Sequence, residues 1–397
     1  MNAVSNPPIS EESRPKWLSE LSEKAWLNKD KHPLPLNKEA WRKIDLSGFT
    51  LSEFSPETSE TLLEITSENS LLKNFFDLSS SEINSEGYSE VLQNISESIE
   101  NIPDIFAAAN IAKYQKGFYI KGSKTPDTVR ITHSFSSGVK KGSALMHRIF
   151  IHVPENCELT VVEEFKGTPS ENISLWNNNT TVLCENNSKL NYISIGNYAD
   201  NEYHFHNFTS HQKRDSSVHV SVLHGGGISG KSFYTAGVNG TGAHFRGIGL
   251  GIGMDREYND LEMCVEHYAS HSESSLYYRT VQKDRSHSVF TGNLVIPKGL
   301  KNVSSHQLNN NILLDKRARA ESIPQLIIKA ESVKCDHGST VGEINEEALL
   351  YLKSRGIPEM EAKSLLVEGF ATEIIDEIPL EEIRDRIREE VMRKLSV

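Results

Sequence analysis

Residues 217–222 read SVHVSV, so apolar and polar side chains alternate along this stretch. Strict alternation is typical of a β-strand that buries one face, because successive side chains point to opposite sides. Similar runs occupy residues 128–132, 148–153, 159–162 and 190–195. They recur about every ten to fifteen residues and are separated by Gly, Asn, Ser and Asp, which predicts short strands joined by tight turns.

The β-rich region is long, because it continues from about residue 116 to residue 335 without a useful helical window. This length exceeds that of an ordinary β-sandwich of roughly 100 residues. A right-handed parallel β-helix, in which each coil rests on the next, fits the length better. We therefore expect a mainly β protein with such a core, and a pair of packed sandwiches is the alternative.

The N-terminal residues 1–112 are expected to form a helical domain. Residues 16–26 carry apolar side chains at helical spacing behind Pro15, which suits a first helical turn. A second short helix is predicted at 39–43. Residues 51–100 are rich in Ser and Glu, which predicts short helices joined by mobile loops.

The β-rich core is assigned to residues 113–338, and residues 339–397 are expected to form a C-terminal helical domain. Asn345 can cap a first helix, and Pro358 and Pro379 can each begin a further one. The apolar residues of the tail recur at helical spacing, which predicts amphipathic helices.

Composition excludes several classes of function. The formal net charge of −12 argues against nucleic acid as the main partner, since phosphate binding requires a basic surface. No apolar run approaches the roughly 20 residues that span a bilayer, and no secretory signal is recognisable. The four cysteines include no CxxC pair, which favours reduced thiols. We expect a cytoplasmic chain, or one in the plastid stroma if the organism bears plastids.

A candidate metal half-site lies in residues 333–340, which read VKCDHGST. On a strand, Cys335 and His337 project from one face and Asp336 projects from the other. Thiolate and imidazole are ligands for iron or zinc, and a stable site needs about four ligands. Another strand or another subunit must therefore complete the site. The alternative is a buried cysteine beside a hydrogen-bonded core histidine.

A second motif, from Gly225 to Ser232, reads GGGISGKS and matches the phosphate-binding pattern G-x-x-x-x-G-K-S. Nucleotide binding requires a helix directly after this loop. Residues 233–240 instead have the composition of a strand and a turn, with two glycines. A glycine turn between coils is therefore the favoured interpretation, and a nucleotide-binding protein is the disfavoured alternative.

Two further motifs are weaker. Residues 247–253 alternate Gly with aliphatic residues and lack dinucleotide-binding spacing, which favours a tight stack of strands. His204, His206 and His211 could form a metal cluster. The aromatic residues between them favour an exposed polar strand face instead.

A series of motifs follows in order along the C-terminal half of the chain: HYA at 267–269, SVFTG at 288–292, SSHQLNNNILL at 304–314, IPQLII at 323–328, VKCDHGSTVG at 333–342 and YLKSRGI at 351–357. Together they resemble the SufD branch of the SufB/SufD family, the iron–sulfur cluster assembly proteins of the SUF system. FAAAN at 106–110 and WRK at 41–43 resemble the same family. The C-x-H-G pattern favours SufD over SufB. Asp336 departs from the family, in which Ser or Thr is common there.

The resemblance implies a β-helix between two helical domains and a scaffold subunit of a SufBCD complex without enzymatic turnover of its own. It implies a heterodimer with SufB, and a homodimer is a candidate state of the isolated chain. It carries over Cys335 and His337 as residues of a transient iron–sulfur cluster at the SufB interface. A reduced flavin is a candidate electron donor in the complex, and no permanently bound cofactor is expected.

The resemblance also implies that the SufC ATPase docks on the C-terminal helices. An amphipathic helix that docks in a groove needs apolar anchors three or four residues apart. The side chains with that spacing are Leu365, Leu366, Phe370 and Ile374.

Overall fold

Two long β-sheets make up most of the computed structural model, which describes residues 2–4, 15–28, 41, 44, 46, 49–56, 61–78, 104–135 and 139–395. One sheet has ten strands, in the spatial order β1 (Asn2–Val4), β3 (Thr61–Ser67), β6 (Asp127–Phe135), β9 (Glu158–Lys166), β11 (Lys189–Tyr198), β13 (Ser217–Gly226), β15 (His244–Gly253), β17 (Glu273–Gln282), β19 (Lys301–Leu313) and β21 (Ser332–Glu343).

The second sheet has eleven strands. Nine follow the order β20 (Arg319–Ile328), β18 (His287–Ile296), β16 (Tyr258–His267), β14 (Ser229–Val238), β12 (Glu202–Gln212), β10 (Ser174–Cys184), β8 (His147–Val153), β5 (Lys116–Lys121) and β4 (Leu71–Asn74), while β2 (Ser55–Pro56) and β7 (Ser143–Leu145) lie off this path. The helices are α1 (Lys16–Asn28), α2 (Ile105–Lys113), α3 (Glu346–Ser354), α4 (Glu359–Ile375) and α5 (Glu381–Leu395).

The connectivity of the two sheets is that of a β-helix. From β8 onward, consecutive strands alternate between the sheets, and each pairs in parallel with the strand two positions further along the chain. About eight turns of the solenoid result. The predictions of a mainly β chain and of a β-helix core are therefore confirmed, and packed antiparallel sandwiches are excluded.

The corners of the solenoid explain the polar residues between strands. Asn156, Asn187 and Asp215 occupy equivalent turns with positive φ angles of 59°, 55° and 55°. Asn and Asp tolerate the left-handed region better than other side chains, because their short polar groups can hydrogen-bond locally. The Asn187 Nδ2 amide donates to Asn156 Oδ1 at 2.8 Å, which links two successive corners.

The glycine row of β15 faces the interior of the solenoid, where side chains of neighbouring coils fill the space. A Cβ atom at Gly249 would lie 2.7 Å from the Tyr278 ring, and one at Gly251 would lie 2.5 Å from Tyr278 Oη. His224 Nε2 shares a hydrogen bond of 2.7 Å with the same hydroxyl. The alternating glycines therefore make room for large inward side chains, as a tight stack of strands requires.

In its described residues, the N-terminal segment is less helical than predicted. Helix α1 forms where expected, and Trp17 Nε1 donates to the Leu78 carbonyl at 2.9 Å. Two short 3-10 helices form at Leu51–Glu53 and Phe75–Asp77, and between them lie strands β3 and β4, which were not predicted. These strands pair antiparallel with β6 and β5. Thr61–Ser67 alternates between buried and more exposed residues, a period-2 pattern that the Ser and Glu content concealed. Of the helix predicted at 39–43 only Trp41 lies within the described residues, where it stacks on Phe106 at 5.1 Å.

The C-terminal tail folds back on the solenoid. Strand β21 continues to Glu343, beyond residue 338, because its pairing with β19 continues to the Leu313–Glu343 pair. Asn345 Oδ1 then accepts from the Ala348 amide at 2.9 Å and caps α3. Helices α4 and α5 bury their apolar stripe against the outer face of β11, β13 and β15, with Ile374, Ile383 and Ile387 in that contact.

A substitution in the solenoid tests this packing. In Gly230→Ala the new Cβ would lie 1.9 Å from the His204 ring, which Gly230 now accommodates. We expect a loss of about 1–3 kcal/mol, the usual cost of overpacking. Gly342→Ala is the matched control, because nothing lies within 4 Å of its Cβ position. Urea unfolding of both variants measures the difference, and equal stability would contradict the packing described.

Candidate functional site

Cys335 and His337 lie on β21, the last strand of the ten-stranded sheet. Their register partners on β19 are Ser305 and Gln307, both of which are buried and face the interior. Cys335 is half-buried and His337 is exposed. The two candidate ligands therefore share the inward face of the solenoid at a strand whose outer edge has no partner strand in the described chain.

Asp336 points away from this pair, as the strand alternation predicts. Its carboxylate Oδ2 lies 2.7 Å from Nδ1 of His306, its register partner on the outer face. Asp336 is therefore held by a contact on the opposite side of the sheet. Its departure from the family pattern leaves the inward face of β21 unchanged.

Within the described ranges, no three His, Cys, Asp or Glu side chains are close enough together to hold a metal ion. Cys335 and His337 thus have no third ligand in the part of the chain that the structure describes. A stable iron or zinc site needs about four donors. The pair consequently has the composition of half a site.

A buried hydrogen-bond chain leads to the layer beneath Cys335. His267 Nδ1 lies 2.7 Å from Ser272 Oγ, and His267 Nε2 lies 2.9 Å from Ser274 Oγ. Ser274 Oγ in turn lies 2.5 Å from Ser305 Oγ. These four residues are at most 4% exposed, so each hydroxyl hydrogen must be assigned to a protein acceptor.

The donor and the acceptor of each hydrogen bond in this series can be assigned from the residues at its ends. Ser272 Oγ donates to the Ala269 carbonyl at 2.7 Å, so it accepts from Nδ1–H of His267. Burial lowers the pKa of His267 to about 4, so its Nε2 carries no hydrogen at neutral pH and accepts from Ser274. Ser305 must then donate to Ser274. Ser305 Oγ can consequently offer only lone pairs to its register neighbour Cys335.

The surroundings of Cys335 favour the protonated thiol over the thiolate. Burial raises the pKa of Cys335, and a hydrogen bond from the Ser305 backbone opposes this shift only in part. Thiolate is the form that binds metals. A metal at this position must therefore displace the thiol proton.

The phosphate-binding motif is not a nucleotide site. Lys231 lies in the middle of strand β14 and is 1% exposed, and no helix follows the glycines. Its ammonium lies 2.8 Å from Asp260 Oδ1 and 4.6 Å from the centre of the Phe233 ring. The disfavoured nucleotide-binding alternative is therefore wrong, because this lysine is an internal ion-pair partner.

The expectation of an exposed histidine face is also wrong for two of the three residues. His204 and His206 are buried inside the solenoid, and only His211 is partly exposed. His204 stacks on Tyr198 at 3.9 Å and hydrogen-bonds Asn259 Oδ1 through Nε2 at 3.0 Å. Burial lowers the pKa of His204 to about 3, so the ring is neutral and fits an enclosed layer.

A second buried polar group carried no recognisable sequence signal. His133 Nε2 lies 2.8 Å from Glu163 Oε1, and its Nδ1 lies 2.8 Å from His147 Nδ1. Tyr192 Oη donates to Glu163 at 2.5 Å. These side chains come from strands β6, β8, β9 and β11. The alternation along each strand shows which side chains share a face. Only the register of these strands shows that this face points into the solenoid.

The four tail residues with docking spacing do not share one surface. Leu365 is 43% exposed on α4, while Ile374 is 3% exposed and packs against the solenoid. Phe370 is half-buried beneath Arg279, whose guanidinium carbon lies 4.7 Å from the ring centre. Leu366 is likewise half-buried. A separate exposed apolar group is formed by Leu350, Tyr351 and Met360 on α3 and at the start of α4.

The β-helix from β8 to β21 and the motifs of the C-terminal half lie within a region that matches a known protein family. A sequence model of the family described as "SUF system FeS cluster assembly, SufBD core domain" matches residues 135–370, more than half of the chain. The chain belongs to this family, and its similarity extends to proteins named SufD.

Among individual relatives, an iron–sulfur cluster assembly SufBD family protein of Mycobacterium tuberculosis is 28% identical over 272 residues, covering 66% of each chain. The iron–sulfur cluster assembly protein SufD of Escherichia coli is 27% identical over 63% of this chain and 59% of its own length. SufD of Bacillus subtilis is 24% identical over 64% and 58%. The chain thus spans slightly less than two thirds of these relatives. Among the described helices, none combines the length and the apolar character that a bilayer crossing needs.

The buried ion pair of Lys231 yields a pH-dependent prediction. Burial raises the pKa of Asp260 to about 6, although Lys231 opposes the shift. In Lys231→Met the ionised carboxylate would be left without its cation, at a cost of about 3–5 kcal/mol. Without Lys231 the pKa of Asp260 rises further, so the cost of the substitution grows as the pH rises above 6. Below pH 6 Asp260 is largely protonated in both proteins, and the cost shrinks.

The measurement is urea unfolding of wild type and Lys231→Met at pH 8 and pH 5. The stability difference should be larger at pH 8. Lys231→Met combined with Asp260→Asn should recover much of the loss at pH 8. A deficit independent of pH, or saturable ATP binding that disappears with Lys231, would contradict the internal ion pair.

Proposed function

We propose that this chain is a scaffold subunit that pairs with a SufB-type partner and contributes Cys335 and His337 to a transient iron–sulfur cluster. The supporting observation is the position of these two side chains. They face inward on the terminal strand of the solenoid, and the described chain supplies no third ligand. A half-site at an open end suits a cluster that is built between two subunits and then handed on.

The open end also suits pairing through strands. Strands β20 and β21 are the last strands of their sheets in the described chain, so each has one edge without a neighbouring strand. Such edges recruit a further strand from a partner by main-chain hydrogen bonds. A second β-helix could therefore continue both sheets and bring its own ligands opposite Cys335 and His337. A homodimer of the isolated chain would use the same edges.

In this proposal the chain itself does not turn over a substrate. Iron and sulfide are the cargo, and Cys335 binds iron after losing its thiol proton. Electrons come from a separate donor, for which a reduced flavin is a candidate. A cytoplasmic or stromal location is proposed with the rest, because the thiol must stay reduced.

The tail is proposed to dock the SufC-type ATPase through its exposed apolar side chains. Leu350, Tyr351 and Met360 are 57–68% exposed, and Leu365 lies on the same helix α4 as Met360. Beside them a groove of about 470 Å³ separates α3 and α4 from the end of the solenoid. Exposed apolar groups of this kind mark protein–protein contacts. Ile374 serves instead to attach the tail to the solenoid.

The half-site is tested by His337→Ala in the co-expressed complex. We expect loss of cluster assembly with unchanged folding, because one of about four ligands is removed while the side chain is exposed. His306→Ala is the control, since His306 is the neighbouring histidine on the opposite face. Cluster yield is measured by iron and sulfide content and by visible absorption. A wild-type cluster yield from His337→Ala would contradict the proposal.

The docking surface is tested by Leu365→Asp. The variant should no longer bind the ATPase, because it places a charge in an apolar contact. The SufB-type subunit should stay bound, because it is proposed to pair with the edges of β20 and β21. Ile173→Asp is a matched control, as Ile173 is similarly exposed (45%) on the loop before β10. Co-purification with each partner measures the outcome. Retention of the ATPase, or loss of both partners together, would show that the assignment is wrong.

A further inference from the structure

Gln307 is buried in the layer directly beneath His337, and its amide is unpartnered. The side chain is 3% exposed, and neither its Nε2 nor its Oε1 has a hydrogen-bond partner within the described residues. An unpaired buried polar group costs about 1–3 kcal/mol. The described fold therefore supplies no hydrogen-bond partner for this amide.

The neighbours of Gln307 narrow its possible partners. In the sheet its register partners are Leu276 on β17 and His337 on β21. Leu276 cannot hydrogen-bond, so the imidazole of His337 is the only hydrogen-bonding side chain directly beside it in the sheet. Adjacent strands lie about 4.8 Å apart, so a side-chain amide can reach the ring above it.

Gly292 on the opposite sheet leaves the space that the Gln307 amide occupies inside the solenoid. A Cβ atom at Gly292 would lie 2.0 Å from Gln307 Oε1, so any other residue there would displace the amide. The adjacent inward amides behave differently. Asn309 Nδ2 donates to the Tyr278 carbonyl at 3.0 Å, and Asn311 Nδ2 donates to the Thr340 carbonyl at 2.9 Å. Among the three inward amide side chains of β19, Gln307 therefore lacks a hydrogen-bond partner, while Asn309 and Asn311 each have one.

We propose that Gln307 is a positioning residue whose Oε1 accepts a hydrogen bond from the ring N–H of His337 that does not bind iron. A histidine that ligates a metal usually donates its second ring N–H to an acceptor, which fixes the tautomer and the ring orientation. Gln307 supplies that acceptor from a rigid interior strand, while His337 itself lies on an exposed edge. The inference rests on the proposed role of His337 as a cluster ligand.

The effect of Gln307→Leu on the free energy of unfolding distinguishes a positioning role from a purely structural role. Gln307→Leu removes an unpaired amide and retains the side-chain bulk, so the isolated chain should be as stable as wild type or more stable. Asn309→Leu is the matched control and should destabilise the chain, because it removes engaged hydrogen bonds. Urea unfolding of the two variants gives this readout without any cluster. A destabilised Gln307→Leu would assign the amide to folding and overturn the proposal.

The second readout is anaerobic Fe(II) affinity of the complex with the SufB-type partner. Gln307→Leu should lower it about 10–100-fold, the usual effect of losing such a partner. Gln307→Glu should retain most of it, since a carboxylate oxygen can accept the same hydrogen bond. Gly292→Ala should weaken Fe(II) binding while leaving Gln307 in the sequence.

Fe(II) binding by the His337 and Gln307 variants distinguishes a failure of the positioning role from a failure of the proposed function. If His337→Ala abolishes Fe(II) binding and Gln307→Leu binds as wild type does, the positioning role is wrong and the proposed function stands. If His337→Ala has no effect either, the proposed function fails first. Equal losses in Gln307→Leu and Gln307→Glu would also contradict the acceptor role.

Discussion

In-register stacking of parallel strands is the constraint on which the rest of this structure depends. Each inward side chain rests on the equivalent residue of the coil before it and supports the one after it, as Ser274, Ser305 and Cys335 illustrate. A residue of an interior coil has such neighbours on both sides. A residue of the last coil has one on one side only. The open end is thus the place where inward chemistry can meet another molecule.

Stacking also explains how a solenoid accommodates so much polarity inside. Glu163 is fully buried, yet it receives hydrogen bonds from His133, Thr180 and Tyr192 in adjacent coils. The interactions with His133 and Tyr192 hold the pKa of its carboxyl below the ordinary value in spite of burial. Networks that are satisfied in this way fix the register of neighbouring strands, because a slip by one residue would unpair every member.

Much of the fold follows from the sequence because its signals are local. The alternation at 217–222 and the Asn and Asp residues at the corners predict strands and turns without knowledge of the fold. Asn345 and Pro358 mark helix starts by the same local logic. The spacing of Cys335 and His337 likewise predicts a shared strand face, since it needs only period 2.

What the sequence could not predict depends on register. The same alternation places His204 and His206 on one face but does not say whether that face is inward. Spacing likewise grouped Leu365 with Ile374, although tertiary packing exposes one and buries the other. The neighbours of Gln307, which include Leu276 and Gly292, are likewise set by the register and not by the local pattern. At residues 61–74 high Ser and Glu content outweighed a short alternation, and strands were missed.

The proposed role of His337 is that of a ligand to a cluster formed at the open end of the solenoid. The most direct measurement is pulsed electron paramagnetic resonance of the reduced cluster in a complex in which only this chain carries ¹⁵N-histidine. If His337 is a ligand, the spectrum shows a hyperfine coupling to one ¹⁵N nucleus that disappears in His337→Ala and persists in His306→Ala. A cluster with no ¹⁵N coupling from this chain would show that His337 is not a ligand.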